Sequence, residues 1–130
     1  MPFDNPNRTP SRDVQLLLEA RSLISDRGNW TKDRFQDGDR YCLVASLSVV
    51  SGSRSFTLSN RVERRLARLL VKQLPPQFSG WPTLQFPTSR RRLIWFNDHR
   101  GTRHDDVMAL FDRTIDHLTT KVPVSFSLRL

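Results

Sequence analysis

The chain has 130 residues, 37% of them hydrophobic, and a formal net charge of +8, enough for one domain around a single core. One cysteine excludes an internal disulfide, no Cys/His grouping has zinc-ligand spacing, and no apolar run reaches the ~20 residues of a membrane helix. The opening "MPFDNPNRTPSRD" lacks the basic start and apolar stretch of a signal peptide, so a reduced, cytoplasmic protein is expected.

The charge is the most informative bulk property. A basic surface attracts nucleic acid, anionic lipid or an acidic protein through its long-range field. Most of the positive charge is arginine and most of the negative charge aspartate. Codon bias in a GC-rich genome produces the same preference, which weakens the arginine count as evidence but leaves the net charge standing.

In chain order, residues 1–10 read as a flexible N-terminal arm, followed by a single compact domain over 11–130. Ser11 is placed to cap a helix with Val14, Leu17, Leu18 and Ile24 at helical spacing, and Gly28 to stop it. "NWTKDRFQDGDR" reads as a polar loop whose two aromatics lie over the core. "YCLVASLSVVSG" fits both an alternating strand and a buried helix; helix is the favoured reading, capped by Asp37 or Asp39.

Asn60 and Glu63 have capping-box spacing, so a helix is expected from Asn60. Its apolar stripe is Val62, Leu66, Leu69, Leu70 and Leu74, with Arg61, Arg65, Arg68 and Lys72 along another face. "PPQFSGWPTLQFP" reads as extended chain with aromatic anchors. Leu93–Phe96 is expected as a short strand entered by Arg90, Arg91 and Arg92. Thr102 and Asp105 predict a second capping box, with Val107, Leu110, Phe111, Thr114 and Leu118 turned inward. "VPVSFSLRL" alternates through Val122, Val124, Phe126, Leu128 and Leu130, an edge-strand pattern with Pro123.

Several local patterns together resemble an uncharacterised family of small bacterial domain-of-unknown-function proteins. They are Gly28…Trp30, Cys42-Leu43-x-Ala45-Ser46-Leu47, Trp95-x-Asn97-Asp98, and Thr102-x-x-Asp105-x-Val107 leading to Asp112-Arg113. That family carries G-W, C-x-x-G-A-L, W-N-D and T-x-x-E-V-x-x-x-L-D-R-A-I, and the similarity runs from about Leu16 to Leu118. Ala45-Ser46 stand where the family has Gly-Ala, and Phe96 separates Trp95 from Asn97. The resemblance implies a mostly helical domain and brings no activity, substrate or cofactor.

Each candidate site has a plain structural reading beside it. Cys42 at a helix N-terminus would gain thiolate character, with His99, His104 and Asn97 as base and orienting groups; a free cysteine among core residues is more often simply buried. Asn97-Asp98 invites a catalytic role, yet "NDHRG" also needs turn-forming side chains. Arg61, Arg65, Arg68, Lys72 and Arg90, Arg91, Arg92 are polyanion-binding candidates, with Phe78, Trp81, Phe86 and Trp95 as stacking partners. The alternative is a solvated charged face, or pairing with Asp105, Asp106, Asp112 and Asp116. A membrane-surface role would use the same basic helix, whose apolar stripe the core needs. Phosphate-loop, dinucleotide, metalloprotease and named nucleic-acid motifs are absent, so no cofactor is expected.

The reading is a mainly α (α+β) fold, three or four helices around one core, with a minor two-stranded β element from Leu93–Phe96 and Val122–Leu130. The favoured function is a non-enzymatic binding or accessory module whose basic face meets nucleic acid or an acidic protein. The competing readings are a small Cys-dependent enzyme centred on Cys42 and an interaction module, or homodimer, built on the C-terminal strand.

Overall fold

The computed structural model describes residues 11–52, 56–72 and 88–120. Among them lie five α-helices, one more than the most expected: α1 (Arg12–Leu23), α2 (Leu43–Ser51), α3 (Phe56–Lys72), α4 (Ser89–Asp98) and α5 (His104–Thr119). A short 3-10 helix (Arg27–Asn29) and an antiparallel hairpin, β1 (Gln36–Asp37) with β2 (Arg40–Tyr41), fill the segment between α1 and α2. The fold is therefore mainly α with a minor two-stranded sheet, but the sheet is not where the sequence placed it. The 1–10 arm, "PPQFSGWPTLQFP" with Phe78, Trp81 and Phe86, and the Val122–Leu130 strand all lie outside the described residues.

The helix starts follow from polar side chains, and several starts differ from expectation. Ser11 caps α1 as predicted, its Oγ accepting from Val14 N at 3.2 Å. The helix ends at Ile24 rather than Gly28, because His104 Nε2–H donates to the Ile24 carbonyl at 2.7 Å and occupies the helix end. Gly28 sits in the 3-10 turn, donating to Asp26 Oδ1.

Cys42 itself caps α2, its Sγ accepting from Ala45 N at 3.4 Å. Asp37 lies in β1 and pairs with Arg40 instead. Gly38 opens the hairpin turn with a φ of 64°, the sign that a II′ turn demands at its first position. Gly52 ends α2 with φ 62° and ψ −152°, a region essentially reserved for glycine.

Three further corrections concern α3, α4 and α5. Asn60 is not a cap: α3 begins at Phe56, so Asn60 lies exposed within it and Glu63 is buried. Leu93–Phe96 is helical. Thr88 Oγ1 accepts from Arg91 N and starts α4, and Leu93, Phe96 and Asn97 are buried at helical spacing. Arg90 to Arg92 therefore occupy the first turn of a helix. At α5 the cap shifts by one residue: Arg103 N donates to Asp106 Oδ2 at 2.8 Å, and Thr102 Oγ1 has no partner among the described residues.

Every helix contributes to one core. Leu17, Leu43, Leu47, Leu66, Leu93 and Leu110 have no exposed surface, each burial worth about 2 kcal/mol. Among the described residues Phe96 and Phe111 are the largest fully buried side chains. Leu18 alone of the expected α1 stripe faces outward, as does Phe35 of the expected core-covering loop. Leu118 is only partly buried, and Leu74 lies outside the described residues.

Candidate functional site

Of the residues that carried the family resemblance, Trp30, Cys42, Leu43, Trp95, Asn97 and Asp98 meet at one place, the C-terminal end of α4, while Asp112 lies apart on α5 and pairs with Arg21. Asn97 has no exposed surface and uses both halves of its amide. Oδ1 accepts from Trp30 Nε1 at 2.7 Å and from Leu43 N at 3.1 Å; Nδ2 donates to the Thr31 carbonyl at 3.1 Å and to Asp98 Oδ1 at 2.9 Å. One side chain thus holds the loop before the hairpin and the first amide of α2.

The loop returns the contact residue by residue. Lys32 Nζ donates to the carbonyls of His99 and Thr102 at 2.7 and 2.8 Å, placing a cation where the end of a helix concentrates negative charge. Asp33, held at a φ of 62°, donates its amide to Asp98 Oδ1 at 2.8 Å. Trp30 through Asp33 are stapled to the end of α4 by four successive residues. Trp95 lies on the same helix, half-buried, its ring 4.9 Å from that of His99. The sequence motif is a structural lock: Asn97 and Asp98 close α4 and bond to Trp30, Thr31, Asp33 and Leu43 rather than to a turn of their own, and it is His99 Nδ1, accepting from Gly101 N, that shapes the turn after the helix. Lys32 and Thr31 were missed because their roles depend on contacts some 66 residues away.

Cys42 sits beside this lock at 3% exposure. Burial raises the thiol pKa above its ordinary value, the Asp98 charge adds to the rise, and the amides of Ala45 and Val44 only partly oppose it. A thiol so held is protonated at neutral pH. The groups proposed as its base and orienter have other work: His104 is bonded to Ile24, His99 Nδ1 accepts from Gly101 N, and Asn97 is saturated. An open cleft of about 210 Å³ borders Cys42, Phe35 and Ile94. Among the described residues no group of three or more His, Cys, Asp or Glu could hold a metal ion.

The arginine candidates separate by what they touch. Arg61 grips Asp13 side-on with three bonds from Nε and Nη2, and Arg65 Nε adds a fourth at 2.7 Å. Burial alone would raise the Asp13 carboxyl, but the hydrogen bonds and charges of the two arginines outweigh it and hold the pKa below its ordinary value. Arg90 Nη2 pairs with the buried Glu63 at 3.0 Å. The expected aspartate partners on α5 are used differently: Asp112 pairs with Arg21, and Asp106 caps its own helix. Arg68 and Arg91 are exposed and have no ion pair among the described residues; Arg92 is half-buried. The side chain of Lys72 lies outside the described residues.

Two adjoining surface grooves share Arg65 and Leu118, one between the start of α1, α3 and α5 and the other between α3 and α5. They place Arg12, Arg61, Arg65, Arg68 and His117 along one strip, and Asp13 is the one carboxylate among their described lining residues. Arg12 and His117 were not among the sequence candidates. Nothing in their local pattern separates them from other surface residues; the packing of α1 and α5 against α3 brings them there.

A model of a family of unknown function, DUF6197, matches residues 8–117. The chain belongs to this family. DUF6197 membership covers α1 through most of α5, and with them the lock at Asn97, Cys42 and the basic strip. No curated protein and no solved structure matches the chain. Among the described residues no helix is long and apolar enough to cross a membrane.

Proposed function

We propose that this protein is a non-enzymatic binding module whose α3–α5 strip engages an anionic partner, with nucleic-acid phosphates as the best fit. The observation that carries the reading is the continuity of Arg12, Arg61, Arg65, Arg68 and His117 along two adjoining grooves, against a single buried carboxylate among the described lining residues. Arg61 to Arg68 spans about 10 Å of helix, or roughly three base-pair steps of a duplex. Guanidinium groups suit phosphate oxygens, and the strip offers no side chains arranged to read base edges. Binding is therefore expected to be salt-sensitive and indifferent to sequence.

The choice of variant matters. Replacing Arg61 and Arg65 would leave Asp13 buried without its partners, so weakened binding would be confounded with damage to the fold. Arg12→Gln with Arg68→Gln removes two exposed charges and leaves the clamp intact. Salt titration of duplex DNA binding should show the slope of log K against log salt falling by about 1.8, at about 0.9 per phosphate contact. Absence of binding at low salt, or an unchanged slope in the double variant, would overturn the reading.

A further inference from the structure

We propose that the opening of α4 is a separate site for a compact phosphate group, distinct from the α3–α5 strip. A recess of about 550 Å³ lies between α3 and α4, walled by Ser59, Asn60 and Arg64 on one side and Thr88, Ser89 and Arg90 on the other. Among the described residues it shares none with the strip.

The charge pattern of α4 poses a problem that a bound anion solves. Helix N-termini favour negative charge, yet α4 has no acid in its first turn and carries Arg90, Arg91 and Arg92 there. Glu63, which also borders the recess, pairs with Arg90, and among the described residues both of Arg90's side-chain bonds, to Glu63 Oε2 and Ser48 Oγ, leave from Nη2. Its Nε and Nη1 remain as donors. Thr88 Oγ1 occupies the Arg91 amide, while the amides of Ser89 and Arg90 have no acceptor within a helix. Such amides, with flanking guanidinium groups, are a common way to hold phosphate.

Ser59 supplies an independent indication. It is 6% exposed, its Oγ has no hydrogen-bond partner among the described residues, and it walls the same recess. A buried hydroxyl without a partner is costly, and a phosphate oxygen would accept its proton. Arg64 is exposed, has no ion pair among the described residues and borders the recess from α3. Two guanidinium groups, two helix-end amides and one hydroxyl therefore surround a space large enough for a phosphate or phosphomonoester.

The test is thermal denaturation of the full chain in inorganic phosphate against chloride at matched ionic strength, because a ligand that binds only the folded state raises the melting temperature. Phosphate should raise it saturably. Arg64→Gln should weaken the apparent phosphate affinity about tenfold, the effect of one lost charge-assisted hydrogen bond. Ser59→Ala should keep or raise the melting temperature in chloride and shrink the phosphate increment. The Arg12→Gln, Arg68→Gln double variant should retain the full increment, which separates failure of this site from failure of the strip. A 5′-phosphorylated oligonucleotide acting at lower concentration than inorganic phosphate identifies a nucleic-acid end as the source; inorganic phosphate acting equally well identifies the free ion. No phosphate increment in the parent, or an undiminished one in both Arg64→Gln and Ser59→Ala, overturns the proposal.

Discussion

Asn97 occupies a position where an amide does what no other side chain of its size can. It accepts from an indole and a backbone amide while donating to a carbonyl and a carboxylate, with no contact with solvent. Asn97→Ala strands the Leu43 amide, the Trp30 N–H and the Thr31 carbonyl together, and should cost about 2–4 kcal/mol of stability. Urea unfolding measures this, and a loss below about 1 kcal/mol would show that the lock is dispensable. Cys42 makes a different prediction at the same scale. Its sulfur is buried and its thiol pKa raised, so native protein should react with a thiol reagent only as fast as it opens. Rapid stoichiometric labelling at neutral pH with the fold intact would reverse that reading and restore a nucleophile.

At the scale of elements, α1 and α3 are joined by a carboxylate held between two guanidinium groups. The two sides of this clamp are unequal: the Asp13 side chain is 8% exposed, and those of Arg61 and Arg65 are 42% and 40% exposed. Removing the acid frees two arginines into water, whereas removing both arginines leaves a buried charge. Asp13→Asn should therefore cost about 1 kcal/mol, and Arg61→Gln with Arg65→Gln should cost more than that. Equal losses in denaturant midpoints would count against the asymmetry. The clamp also sets an acid limit. The folded Asp13 pKa lies below its ordinary 3.8, so its stabilisation is fully present above the unfolded value and lost as pH falls through the folded one. Parent stability should decline below about pH 4 more steeply than that of Asp13→Asn. Superimposable pH profiles would show that Asp13 contributes nothing.

For the whole molecule, the buried cluster takes side chains from all five helices, and the Asn97 lock, the Asp13 clamp and the Glu63–Arg90 pair each tie two or more elements. Unfolding should be a single event. Far-UV circular dichroism and tryptophan fluorescence should give coincident denaturation curves, since Trp30 sits at the lock that joins α2 to α4. Separated transitions would mean that the lock opens independently of the helical core.

Local spacing by itself determined much of this protein. The buried apolar positions of α1, α3 and α5, the Ser11 cap and the burial of Cys42 are consequences of short-range pattern and side-chain chemistry, whereas at Leu43–Ser51 the pattern fits strand and helix alike, and the Cys42 cap with the burial of successive residues Leu43 to Leu47 makes it a helix. It failed where a short signal had two meanings. Leu93–Phe96 reads as a strand by composition, and only the Thr88 cap and the burial of Leu93, Phe96 and Asn97 on one side make it a helix. Asn60 and Glu63 have the spacing of a cap, but that spacing also occurs inside a helix, where Glu63 finds Arg90 across the interface. The seven basic candidates were visible as a group; tertiary packing alone decided that Arg61 and Arg65 would grip Asp13, that Arg90 would neutralise Glu63, and that Arg12 would join the strip. Partners separated by 27 to 52 positions leave no periodic trace in a single sequence, because their proximity is created by the folding of the helices between them.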